Sequence, residues 1–118
     1  MADAPEPVKL TQTPPNSIEA EQAVLGSMIL DRDQIPIIIE VLRFEDFYRE
    51  ANGRIFEAVI HLFDKMEPVD MVTLMNLLDK QGLLEKVGGA AYISTLVESP
   101  PTPANSASYA RIVKDTAQ

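Results

Sequence analysis

Cysteine and tryptophan are both missing from this sequence, and histidine occurs once. Without a thiol there is no disulfide scaffold and no thiolate chemistry, and the absence agrees with a reducing compartment. One His and no Cys also leave too few of the usual ligands for a metal centre. Aromatic residues make up only 6% of the chain, three Tyr and four Phe, so most of the core must be aliphatic. No apolar run approaches the ~20 residues of a membrane-spanning helix. The opening MADAPEPVKLTQTPP has neither the basic nor the apolar region of a signal peptide, so a cytoplasmic protein is expected. Neither G-x-x-x-x-G-K-[ST] nor G-x-G-x-x-G occurs, and no residues are arranged to hold a nucleotide. Positive charge is scarce too. Ten Lys and Arg against eighteen Asp and Glu give a formal net charge of −8, and the basic residues are scattered along the chain. Such a surface repels a phosphate backbone, which argues against direct nucleic-acid binding.

What remains is a chain of 118 residues, 46% hydrophobic, enough for one domain with a core of its own. Its clearest pattern is Arg54 to Met66, RIFEAVIHLFDKM. Ile55, Val59, Leu62, Phe63 and Met66 share one face at about 100° per residue, flanked by Phe56 and Ile60. Arg54, Glu57, His61, Asp64 and Lys65 fall on the other side. This stretch is expected to be the central core helix, with the largest share of burial.

Residues 1–13 show no periodicity and read as a disordered N-terminal tail, leaving 14–118 as the helical domain. Asn16 or Ser17 can cap a first helix running to about Leu30, and with Asn16 as cap Glu19 completes a capping box. Gly26 inside it points to close packing by another backbone. Ile35 to Val41 is rich in β-branched residues but has no second run to pair with. A short buried helix is therefore expected, capped by Asp31 or Asp33, with Pro36 tolerated in its first turn. Phe44, Phe47 and Tyr48 form an aromatic cluster leading into the central helix, which begins near Glu50 despite Gly53. Asp70 is placed to cap a helix carrying Met71, Leu74, Met75 and Leu78 inward, and Gly82 to close it. Gly88-Gly89 turns the chain into a helix over 90–98, with Ile93, Leu96 and Val97 inward and Tyr92 at the stripe's edge. Thr102 and Pro103 suit the start of a last helix with Tyr109, Ala110, Val113 and Ala117 on one face. The sum is an all-α compact globular bundle of about six short helices joined by short loops.

No catalytic constellation emerges. His61 lies on the polar face, four residues after Glu57, and the carboxylates sit at caps or on outward faces. Met66, Met71 and Met75 are at core spacing.

Read in order, PPNSIEAEQAVLGSMIL, DFYREANGRIFEAV, PVDMVTLMNLL, GLLEKVGGAAYISTL and TPANSASYARIVK resemble the N-terminal domain of bacterial replicative helicases of the DnaB family, over about Pro14 to Gln118. The resemblance implies a helical head with no catalytic, cofactor-binding or metal-binding residues of its own. ATP and magnesium would belong to the parent's motor domain. In the family such heads form a collar above the motor ring, pair within a hexamer and help to recruit primase through the primase C-terminal domain. The resemblance carries over Glu19, in NSIEAEQ, and Tyr92, in GGAAYI, as candidates for the primase-facing surface. Their plain alternatives are a capping box for Glu19, and for Tyr92 an edge of the core with its hydroxyl in water. The family's helical hairpin and ATPase domain do not follow Gln118, so the chain resembles an excised head, expected by itself to be a monomer or a weak dimer. The competing reading is a small helical DNA-binding module built from two helices around a glycine turn in Val69 to Gly89, which the acidic charge opposes.

Overall fold

The computed structural model describes residues 18–98 and 106–116. Among them are six α-helices, one 3₁₀ turn and no strand. The order is α1 (Ile18–Leu30), α2 (Gln34–Ile39), the 3₁₀ turn (Phe44–Asp46), α3 (Glu50–Asp64), α4 (Met71–Lys80), α5 (Gly89–Glu98) and α6 (Ser106–Thr116). The all-helical bundle expected from the periodicities is the fold observed. The N-terminal tail, the Asn16 or Ser17 cap, the Thr102-Pro103 start and Ala117 lie outside the described residues.

The central element is not the one that the periodicity singles out. Nine of the thirteen residues of α1 are buried, against seven of fifteen in α3. α1 packs against α6, α5, α3 and α2, so it is enclosed on most sides and has no polar face to reveal it. Its small residues Ala20, Ala23, Gly26 and Ser27 are all buried and let neighbouring helices approach.

α3 does present the expected stripe, but shifted. Ile55, Phe56, Val59 and Leu62 are at most 1% exposed, whereas Phe63 is only half-buried and Met66 is 86% exposed. Phe63 lies under the Arg32 guanidinium, 4.8 Å from its ring centre. Met66 turns outward because the helix ends at Asp64 and the chain wraps back on itself. The Met66 N–H donates to the Phe63 carbonyl at 3.0 Å and the Glu67 N–H to the Leu62 carbonyl at 2.9 Å, with Met66 at φ 61°. The Arg32 side chain donates to the Glu67 carbonyl at 2.8 Å and fixes the same corner.

The remaining elements follow local chemistry. Pro36 stands in the first turn of α2, and Ile35 and Ile38 are buried while Ile37 is exposed. Asp33 is the N-cap of α2 without a side-chain cap bond; Asp31 instead accepts from the Asp33 N–H and the Gln34 amide. Of the aromatic cluster, Phe47 is buried with its ring 4.8 Å from that of Phe56, and Phe44 is half-buried. Tyr48 leaves the cluster and stands in solvent. Gly53 is required here, since a Cβ at that position would lie 2.8 Å from the Phe44 ring. Asp70 caps α4, accepting from the Thr73 N–H at 2.8 Å, and hydrogen bonds from Thr73 hold its carboxyl below the usual carboxylate range. Leu74 and Leu78 are fully buried, Met71 and Met75 half-buried, and Gly82 at φ 73° closes the helix. In α5 Ile93 and Leu96 are buried and Val97 half-buried. Ala110, Val113 and Thr116 are buried on α6, and a Lys114–Asp46 ion pair at 3.0 Å joins that helix to the 3₁₀ turn.

Candidate functional site

The first turn of α3 is held by a side chain from another helix. Arg49, its N-cap, makes no side-chain cap bond. In its place the carboxylate of Glu21, 1% exposed on α1, accepts from the Tyr48 N–H at 2.6 Å and, more weakly, the Arg49 N–H at 3.5 Å. An anion there meets the positive end of the helix dipole and amides that have no partner within the helix. Glu21 also accepts from the Asn52 amide at 2.8 Å. Asn52 is fully buried, and its carbonyl oxygen accepts from the Tyr92 hydroxyl at 2.5 Å. That hydroxyl in turn accepts from the Gln22 amide at 3.3 Å. One polar cluster thus ties α1, α3 and α5 together, and the buried carboxylate is matched by charge-assisted donors.

Of the two residues singled out in the sequence, Tyr92 belongs to this cluster. Tyr92 is half-buried, with the Arg49 guanidinium 5.8 Å from its ring centre. Its hydroxyl is not in water but is engaged by Asn52 and Gln22. Glu19 is exposed on α1, one helical turn before Gln22. Asn16, which would complete the capping box with Glu19, lies outside the described residues.

Sequence reasoning missed Glu21, Gln22, Asn52, Arg49 and Tyr48. One signal was available. Asn52 precedes Ile55 by three and Phe56 by four, which places a polar residue on the buried stripe of an otherwise apolar helix face. Glu21 offered none, because a carboxylate in a first helical turn is ordinarily a solvated dipole partner.

The described residues contain no group of three or more His, Cys, Asp or Glu able to share a metal ion. His61 is exposed on the far half of α3, on the edge of a shallow groove with Glu57 and Asp64. The competing DNA-binding reading requires two helices around a glycine turn within Val69 to Gly89, but only α4 lies there, and residues 83–88 run as turns into α5. No helix among the described residues is long and apolar enough to cross a membrane.

Comparison with known proteins agrees with the fold. The replicative DNA helicase DnaB of Mycobacterium leprae is 45% identical over 104 residues, covering 88% of this chain and 17% of that protein. The Geobacillus stearothermophilus replicative DNA helicase DnaB is 48% identical over 102 residues, 86% of this chain and 22% of that protein. The chain therefore spans about a fifth of the length of the curated relatives it matches. The crystal structure of the N-terminal domain of DnaB helicase from Mycobacterium tuberculosis superposes with a TM-score of 0.85 at 45% identity, covering 88% of this chain and 75% of that one. The family model described as DnaB-like helicase N-terminal domain matches residues 13–115, and with these relatives at this identity the chain belongs to that family.

Proposed function

We propose that this chain is the non-catalytic head of a replicative DNA helicase. In this reading it associates with its own copies to build a collar on the motor ring, and it recruits primase through the primase C-terminal domain. ATP and magnesium belong to the motor domain of the parent protein, and the head needs no cofactor. The observation that carries the reading is the family match over residues 13–115. The composition of the surface around Tyr92 supports it. Tyr and Arg are the side chains most often found as anchors of protein interfaces, and here they stand on a base of buried hydrogen bonds rather than on a flexible loop.

Titration of a primase C-terminal domain into the 118-residue chain tests the recruitment role. Saturable binding is expected. Glu19→Ala should raise Kd about tenfold, which is about 1.4 kcal/mol, with little change in Tm because Glu19 is exposed. No binding by the wild-type chain would overturn recruitment. Light scattering at micromolar concentration tests assembly: a monomer or a weak, concentration-dependent dimer is expected, and a stable hexamer would overturn this by showing that the head alone carries the ring contacts.

A further inference from the structure

Asn52-Gly53, near the start of α3, is the one Asn-Gly pair in the sequence. Asparagine is thermolabile, and most so before glycine, which puts no side chain in the way of cyclisation. In that reaction the Gly53 nitrogen attacks Asn52 Cγ and forms a new N–C bond. The Cγ–Nδ2 bond breaks, and the side-chain amide leaves as ammonia, carrying the proton given up by the Gly53 nitrogen. Water then opens the cyclic imide at either of its carbonyls, leaving an aspartate or an isoaspartate at position 52. Water is the only co-reactant and ammonia the only product released.

The fold ties up every group that this chemistry uses. Asn52 is fully buried; its amide donates to Glu21 at 2.8 Å, and its carbonyl oxygen accepts from the Tyr92 hydroxyl at 2.5 Å. The Gly53 N–H donates to the Arg49 carbonyl at 3.1 Å, so the attacking nitrogen is held in the helical ladder together with its proton. Nor can the pair be made safe by exchanging the glycine, because a Cβ there would lie 2.8 Å from the Phe44 ring. Protection therefore lasts only while α1, α3 and α5 stay docked. Conversion also removes the means of docking again. The lost amide is the donor that faces Glu21, and a carboxylate in its place sets two anions in one buried site. An isoaspartate further adds a carbon to the backbone inside α3 and breaks the register of its hydrogen bonds.

We infer that Asn52 is a deamidation site locked by its hydrogen bonds to Glu21 and Tyr92, that it reacts with water when the cluster opens, and that the conversion is a one-way loss of the docked arrangement of α1, α3 and α5. The inference is independent of any partner.

The test incubates the wild-type chain in alkaline buffer, folded and in guanidinium chloride. Trypsin cleaves after Arg49 and Arg54, and mass spectrometry of the released residues 50–54 follows the exchange of the Asn52 amide for an acid. The folded chain should convert at least about tenfold more slowly than the unfolded one. Equal rates overturn the lock. Tyr92→Phe keeps the ring and removes the hydroxyl, and should speed conversion of the folded chain several-fold. Gly82→Ala strains the end of α4, outside the cluster, and should speed it less. Equal acceleration by the two variants overturns the assignment of the lock to the cluster. The one-way step is read from Asn52→Asp, whose Tm should fall clearly. A Tm equal to that of the wild type overturns it, whereas failure of this variant to fold is the expected loss in its extreme form and leaves the rate comparison on the wild-type chain intact.

Discussion

The two ends of α3 are secured in opposite ways. The first turn is fastened by side chains from elsewhere, Glu21 of α1 directly and Tyr92 of α5 through Asn52. The last turn is closed chiefly by the chain's own backbone, which folds back from Met66 and Glu67 onto Phe63 and Leu62, with the Arg32 side chain added on the Glu67 carbonyl. Contacts of the first kind depend on residues 27 to 40 positions apart. The backbone bonds of the second kind lie within five. The first should therefore fail as a unit when any member is removed, whereas the second should answer mainly to the conformation of single residues.

The largest test removes the hub. Glu21→Ala would leave the Asn52 amide and the Tyr48 N–H without their buried acceptor, and is expected to cost about 3–5 kcal/mol in urea unfolding. A loss below about 1 kcal/mol would mean that water replaces the carboxylate at once, and the contrast between the ends would collapse.

Between the ends, the packing stripe is probed by the two phenylalanines. Phe56→Ala should cost about 3–5 kcal/mol, because Phe56 is 1% exposed and its removal leaves a cavity. Phe63→Ala, which the spacing alone would rank as equally severe, should cost about 1–2 kcal/mol, because Phe63 packs only at the edge of the core, with Arg32 over its ring. Thermal melts that reverse this order would return the core face to the one predicted from periodicity.

The smallest effects belong to the last turn, and they have opposite signs at two helices. α4 ends as α3 does, with the Gly82 N–H on the Asp79 carbonyl and the Leu83 N–H on the Leu78 carbonyl, but with glycine in the left-handed position. Gly82→Ala should cost about 1 kcal/mol, all of it backbone strain, since no atom lies within 4 Å of the added Cβ. Met66→Gly should stabilise by up to about 1 kcal/mol, the relieved strain exceeding the extra freedom given to the unfolded chain. Destabilisation by Met66→Gly would show that the exposed methionine side chain does more at that corner than its 86% exposure indicates.

The same division separates what the sequence tells from what it withholds. The Asp70 cap, the Gly82 stop, Pro36 in a first turn and the inward Leu74 and Leu78 all obey rules that act over a few residues, and all are visible in the bare chain. The outward turn of Met66 is local too. It escaped because an apolar residue at a helix-spaced position reads as core unless the helix is known to stop two residues earlier. The role of α1 was hidden for a different reason: periodicity detects a boundary between core and solvent, and a helix enclosed on most sides has none. The polar cluster was least legible, because Glu21, Asn52 and Tyr92 acquire meaning only once three helices are in place. The resemblance supplied Glu19 and Tyr92. It gave no hint that Tyr92 is tied inward through its hydroxyl, or that Arg49 lies over its ring.

A buried carboxylate bound to residues so distant in the chain also bears on the order in which the molecule assembles. Helical turns and caps form within their own segments, but Glu21 can meet Tyr48 and Asn52 only after α1 and α3 have docked, and Tyr92 can join only after α5 arrives. Until then Glu21 keeps its hydration, and any rotated or slipped arrangement of α5 that excludes water without presenting the Tyr92 hydroxyl strands a polar group in the interior. The cluster thus rejects near-native packings that aliphatic side chains alone would tolerate, and it confines the interior to one arrangement of its helices.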